Sequence, residues 1–249
     1  MPKDYAFSYR LFHRTLGKIL ARTATIGTVS RFSQQELSSV LGIKAEQILL
    51  IPNGHEHINR QAPSENIIAK LGLENRPFFL FIGSPAPRKN LNRLIEAFQA
   101  LNRENIALVI IGAANAKVFK GANAASYKNV LTPGRLEDGE IIALYQAAEA
   151  LVFPSLYEGF GIPPLEAMVH GCPVIGADIP PVREVCDDAI LYVDPLKPNT
   201  ITQQMDTLLK AAGLKETLIH KGQSRVHLYK WATSVEPLYA FLMEGKKSK

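Results

Sequence analysis

Two carboxylates and two cations stand out by type and spacing. Glu158 and Glu166 lie eight positions apart, on either side of Gly159-Phe160-Gly161-Ile162-Pro163-Pro164. The glycines let the backbone approach a ligand closely, and prolines at a helix start expose loop amides without adding competing side-chain donors. A helix beginning at Pro164 would put Glu166 in its first turn, where the dipole favours the ionised form and the carboxylate can accept hydrogen bonds from two vicinal hydroxyls. A ribose presents such a pair. Arg88 and Lys89 come just before a second helix start, in the loop Gly83-Ser84-Pro85-Ala86-Pro87-Arg88-Lys89-Asn90. Cations there oppose the dipole, so the placement calls for a compensating anion. A diphosphate would serve, and a solvated Arg-Lys pair is the alternative.

The elements that must position these residues alternate in type. Apolar runs at Phe78 to Ile82, Ala107 to Ile111, Ala150 to Phe153 and Pro173 to Gly176 predict strands buried on both faces, with shorter strands at Val130-Leu131 and Ile190 to Val193. Between them, 3.6-residue periodicity predicts helices over Leu91 to Leu101, Asp138 to Ala148 and Pro164 to His170, followed by Ile201 to Ala212 and Leu214 to Tyr229. Such alternation predicts an α/β fold, a Rossmann-like doubly wound parallel sheet whose ligands bind beyond the carboxyl ends of the strands. Upstream, residues 5 to 22 read as a basic amphipathic helix, from Tyr5 through Tyr9, Phe12 and Leu16 to Leu20, fit to lie on a membrane or to pack inside a protein. Short strands are expected at Ala24 to Val29 and Ile48 to Ile51, with a helix between them that Ser30 or Ser33 caps and Gly42 ends. A polar linker, Glu56 to Glu65, follows the turn Pro52-Asn53-Gly54, and a Gly- and Ala-rich loop follows Ile111.

Composition excludes several classes. With 249 residues, 47% hydrophobic and 20% charged, the chain is a packed protein and not a disordered one. Its net charge of +5 suits anionic partners without choosing among nucleotides, nucleic acid and acidic membranes, and a solvated basic face is the alternative. Two cysteines, Cys172 and Cys186, are too few for a disulfide scaffold and fit a reducing cytoplasm. No stretch reaches the roughly 18 apolar residues of a membrane span, and the N-terminus, with Lys3, Asp4 and Arg10, lacks the apolar core of a signal peptide, which speaks against export by the standard route. There is no Asp-x-Asp motif and the six histidines are scattered, which agrees with a metal-free site using Arg and Lys.

The string SLYEGFGIPPLEAMVHGCPVIGAD resembles the donor-site signature of glycosyltransferase family 4, and GSPAPRKNLNRLIEAF is similar to that family's phosphate loop. TPGRLEDGEIIALYQAAEALVFPS, VSRFSQQEL and IPNGHEH match further family segments, in the family's order, from about Thr28 to Asp194. The resemblance implies a GT-B fold, two Rossmann-like domains facing a cleft, of which this chain carries mainly the C-terminal one. Residues 1 to 60 would be a remnant of the N-terminal acceptor domain with its crossover, residues 61 to 225 the nucleotide-sugar-binding domain, and residues 226 to 249, from around Trp231, a closing helix.

Carried over, the resemblance implies that Glu158 contacts hydroxyls of the transferred sugar and that Lys89, aided by Arg88, neutralises the diphosphate, these three being the catalytic set. It implies that Gly159 and the amides of Phe160, Gly161 and Ile162 hold sugar and phosphate, that Glu166 takes the ribose hydroxyls, and that the backbone of Gly134, Arg135 and Leu136 lies along the base. Gly83 and Ser84 begin the phosphate loop, and Ser84 departs from the family, many members of which carry Arg there; Arg88 would substitute. The reaction implied is retaining transfer of a mannose-like hexose from a nucleotide diphosphate-sugar to a glycan or lipid-linked acceptor in polysaccharide or envelope biosynthesis. It would run without cofactor or metal, in the cytoplasm or at the inner face of the membrane. A donor-binding module or split subunit, active only with a partner that supplies the acceptor domain, is the alternative; an epimerase of similar architecture is disfavoured by the glutamate pair. Exposed apolar surface on a lone half would favour a homo-oligomer, a partner subunit or peripheral membrane contact, and nucleic acid is not an expected partner.

Overall fold

A computed structural model describes residues 7–57, 61–64, 66–112 and 127–247. Tyr5, Glu65, Lys249 and the Gly- and Ala-rich stretch beyond Gly112 lie outside the described residues. The chain divides into two compact units, Met1–Gly54 with Tyr229–Lys249, and His55–Leu228.

The first unit starts with α1 (Phe7–Thr23), β1 (Ile26–Thr28), α2 (Arg31–Leu41) and β2 (Ile48–Leu50), with β1 and β2 paired in parallel. Ser30 caps α2 by accepting a hydrogen bond from the Ser33 amide at 3.0 Å, and Gly42 ends it with φ 73°, a left-handed turn that glycine adopts without strain. Among the side chains of α1, Leu11, Phe12 and Ile19 are exposed.

The second unit holds the sheet. In chain order it comprises α3 (Asn66–Lys70), β3 (Phe78–Ile82), α4 (Leu91–Leu101), β4 (Ala107–Ile111), β5 (Val130–Gly134), α5 (Asp138–Ala147), β6 (Ala150–Phe153), α6 (Ile162–Val169), β7 (Val174–Ala177), α7 (Pro180–Cys186), β8 (Leu191–Val193), α8 (Pro198–Lys210) and α9 (Leu214–Val226). The first unit is completed by α10 (Trp231–Ser234) and α11 (Glu236–Lys247). All six strands β3 to β8 are parallel, in the order β5-β4-β3-β6-β7-β8. The interior place of β3 agrees with its hydrophobic pattern. Phe78, Phe79, Leu80 and Phe81 are at most 1% exposed, which only a strand covered on both faces can achieve.

One face of the sheet supplies Phe79, Phe81, Leu108, Ile110 and Val152 to a core shared with Leu94 and Phe98 of α4 and Ile201 and Met205 of α8. On the other strand parity, Leu80, Val109 and Leu151 are equally buried, and α6 packs on β6 and β7 with α9 against it. Truncating Leu80 to Ala would cost about 2–5 kcal/mol.

Several boundaries differ from the sequence expectation. β5 continues through Pro133 to Gly134, which an edge strand allows because a missing amide there breaks no internal ladder. α6 begins at Ile162, two residues earlier than expected, with its prolines inside the first turn. α3 and α7 were not expected at all. α7 starts on Pro180-Pro181, a pair that reads as loop but suits a first helical turn, where amides lack partners anyway.

The fold positions the site through its connectivity. From β3 the chain builds outward to β4 and β5, then returns to β6 on the other side of β3. The crevice beyond the carboxyl ends of β3 and β6 is therefore the point where the strand order reverses, the general ligand position in open parallel sheets.

Candidate functional site

Both candidate loops leave the sheet at this reversal. The Gly83 amide, at the end of β3, donates to the Ile111 carbonyl at 3.1 Å. Gly112 makes room for that passage: at φ 87°, a Cβ on it would stand 2.8 Å from the Gly83 carbonyl oxygen. Ser84 is exposed; Pro87 to Lys89 then form a 3-10 turn closed by the Lys89 amide on the Ala86 carbonyl. Asn90 is left-handed at φ 62° and buried, and its side-chain amide donates to the carbonyls of Pro154 at 3.0 Å and Pro195 at 2.6 Å. One side chain thus ties together the ends of β3, β6 and β8. The Leu156 amide adds a bond to the Arg88 carbonyl at 2.7 Å, locking the two loops to each other.

That lock brings three of the predicted residues together. The Lys89 ammonium lies 2.6 Å from Glu158 Oε1, and the Arg88 guanidinium reaches Glu158 Oε2 at 3.5 Å. Lys89 and Glu158 side chains are each 11% exposed, against 40% for Arg88. The Lys89 charge also sits 5.0 Å from the Phe153 ring centroid, over its face. The anion that the Arg-Lys placement calls for is therefore supplied from within the protein, by Glu158. A buried pair of this kind holds together because each partner offsets the other's desolvation.

Glu166 is handled differently. It is the fifth residue of α6 and not in the first turn, so the dipole that was expected to keep it ionised has largely faded there. Burial instead pushes its carboxyl above the usual range, partly countered by a hydrogen bond from the Tyr145 hydroxyl to Oε2 at 2.9 Å and by the nearby His57; Asp138 adds a small upward push. Tyr145 and its bond were not read from the sequence, where the residue is only one apolar position of α5. Asn90 was likewise missed as a clamp: Asn directly before a helix reads as a capping residue, yet its side chain makes no capping bond here.

The N-terminal end of α6 faces the loop with Gly161 at φ 116°, which offers no side-chain cap, and with Pro163 and Pro164, which offer no amide hydrogens. Phe160 is buried at 5% while Gly159 and Ile162 are exposed. Gly134, at φ 85°, with exposed Arg135 and half-buried Leu136, stands at the end of edge strand β5, separated from β3 by β4. These three are not brought into contact with the Lys89–Glu158 pair. Among the described residues no three His, Cys, Asp or Glu side chains gather as a metal site would need. Both cysteines are buried free thiols whose pKa burial pushes up to about 12, so they are poor nucleophiles.

Known proteins share this architecture. Anabaena HepE, solved in complex with UDP and glucose, superimposes with a TM-score of 0.83 on 98% of this chain and 69% of HepE, at 19% identity. The fold is thus that of the GT-B glycosyltransferases. The sequence matches the glycosyl transferases group 1 family over residues 63–225, and the chain belongs to that family. It is 29% identical over 244 residues to O-antigen chain mannosyltransferase B of Escherichia coli, covering 92% of this chain and 62% of that protein. To the O-antigen chain mannosyltransferase RfbU of Salmonella typhimurium it is 30% identical over 201 residues, covering 76% of this chain and 52% of that protein. The chain therefore spans between about half and two thirds of the length of these relatives.

Proposed function

We propose that this chain is the donor-binding part of a retaining glycosyltransferase of family 4, moving a mannose-like hexose from a nucleotide diphosphate-sugar to a glycan or lipid-linked acceptor of a cell-envelope polysaccharide. The observation that carries the reading is the clustering of Lys89, Arg88 and Glu158 at the strand-order reversal, next to the capless N-terminus of α6. The names of the O-antigen mannosyltransferase relatives and the nucleotide bound by HepE support it.

On this reading the donor diphosphate takes over Lys89 and Arg88 from Glu158, and the freed carboxylate accepts from hydroxyls of the sugar. Glu166 takes the ribose pair, and the Gly134 to Leu136 backbone lies along the base. As the glycosidic bond breaks, negative charge grows on the leaving phosphate, where the two cations and the α6 dipole stabilise it. The acceptor hydroxyl attacks from the same face through an oxocarbenium-like transition state and passes its proton to the departing phosphate oxygen. Residues 1 to 60 would then belong to an acceptor-side domain and residues 226 to 249 to a closing helix, at the cytoplasmic face of a membrane. No described helix is long and apolar enough to cross one.

Calorimetry with UDP, GDP and ADP and with their hexose conjugates, paired with an assay for nucleoside diphosphate release, tests the proposal. Expected is binding of one nucleotide family, lost in Lys89→Ala; no binding of any of them sinks it. A second reading is a donor-binding module that turns over only with a partner chain. Binding without release of product would select that module.

A further inference from the structure

We infer that Tyr145 is a positioning residue for Glu166, occupying one carboxylate oxygen so that the remaining acceptor capacity goes to a pair of vicinal hydroxyls on a bound nucleoside. The inference rests on the ribose-binding role given to Glu166 above.

The geometry makes Tyr145 a one-way donor. Its ring is 1% exposed, and its hydroxyl stands 2.9 Å from Glu166 Oε2 and 3.4 Å from the Pro163 carbonyl, so the single proton goes to the carboxylate. Burial and the adjacent Glu166 charge hold the phenol proton well above its ordinary pKa, so the phenol is the donor while Glu166 is ionised. The ring is also held in place: it stacks on His170, which follows the last residue of α6, at 5.9 Å and 18°. Burial favours the neutral form of that imidazole, which places no charge beside the bond. Glu166 in α6 and His170 just after it hold the phenol from α5 at two points.

The charged surroundings give this grip a chemical purpose. Burial works against an ionised Glu166, as does Asp138 at the start of α5, while the Tyr145 bond and His57 work for it. A vicinal diol donates two protons, and an ionised carboxylate accepts on both oxygens with no competing O–H donor. Tyr145 thus keeps Glu166 in the accepting form and limits its rotation, without touching the ligand.

The test uses the full chain and its Tyr145→Phe variant, which keeps the ring. Carbon-13 NMR of labelled glutamate follows Glu166 titration in the ligand-free protein, and calorimetry follows UDP and GDP affinity against pH. Tyr145→Phe should move the Glu166 midpoint to higher pH, weaken binding of the preferred nucleotide about tenfold near neutrality, and carry the acid limb of binding upward with it. In a Glu166→Gln background the same change should cost less than twofold. An unmoved midpoint, or an affinity loss that is equal at every pH and persists in Glu166→Gln, overturns the inference. If Glu166→Gln itself binds both nucleotides like the wild type, the ribose role of Glu166 fails first, and that of Tyr145 with it. Should Tyr145→Phe not fold, 3-fluorotyrosine at 145, a stronger donor of nearly the same shape, must move the midpoint down, and failure to do so is equally decisive.

Discussion

Glu158 and Glu166 sit eight residues apart in one segment, yet the molecule treats them in opposite ways. Glu158 is neutralised by a cation, Lys89 at 2.6 Å, whereas Glu166 faces a neutral phenol and is left to bear much of the cost of its burial. The difference teaches that two carboxylates close in sequence can meet the cost of burial differently, one beside a cation and the other beside a neutral hydrogen-bond donor. One is a stored half of an ion pair, the other a strained acceptor.

Breaking the ion pair should have the largest effect. Lys89→Ala leaves Glu158 buried without its cation, and we expect a stability loss of about 3 kcal/mol by urea denaturation. On the proposed role of Lys89 at the leaving phosphate, turnover should fall by about a hundredfold or more. Stability and activity within twofold of wild type would show that Glu158 does not depend on Lys89. Next in size is Gly112→Ala, whose methyl would press on the Gly83 carbonyl at 2.8 Å in a left-handed conformation. Its expected cost is about 2 kcal/mol, with diphosphate binding weakened because the loop bearing Lys89 moves. A calorimetric melting temperature unchanged from wild type would count against that contact.

Glu166→Gln sharpens the contrast because its two effects have opposite signs. A carboxyl whose folded pKa is raised binds more protons folded than unfolded between the two values, so ligand-free stability falls as pH rises through that window. The variant lacks this slope. It should melt at or above the wild-type temperature at neutral pH, with the gap closing as pH falls toward the ordinary carboxylate range, while nucleotide affinity drops about tenfold. A variant less stable than wild type at pH 7 would mean that Glu166 is not strained. The smallest effect belongs to Arg88→Ala. At 40% exposure and 3.5 Å its contact with Glu158 is worth under about 1 kcal/mol, so stability should barely change and turnover should fall only a few-fold.

How much of this was legible in the amino-acid order depends on the reach of each interaction. β3, β4 and β6 were readable to the residue because a strand buried on both faces must be a continuous apolar run, as FFLFI and ALVF are. The start of α6 was misjudged because Ile162 carries no capping signal and prolines read as boundary residues, while α7 was hidden behind Pro180-Pro181. The loops themselves were legible from their Gly, Pro and charged composition. Their mutual lock was not, since Asn90 finds its partners 64 and 105 residues away.

By itself the sequence determined the alternating α/β order, both candidate loops and the presence of Glu158, Glu166, Arg88 and Lys89 on them, because local propensity and burial periodicity act within a few turns of chain. Only the tertiary structure decided which charge meets which partner. Lys89 reaches Glu158 across 69 residues because the sheet order places β3 beside β6, and Tyr145 reaches Glu166 from a different helix. Electrostatic energy depends on distance in space and on the water excluded between groups, and neither is written in the spacing of residues along a chain.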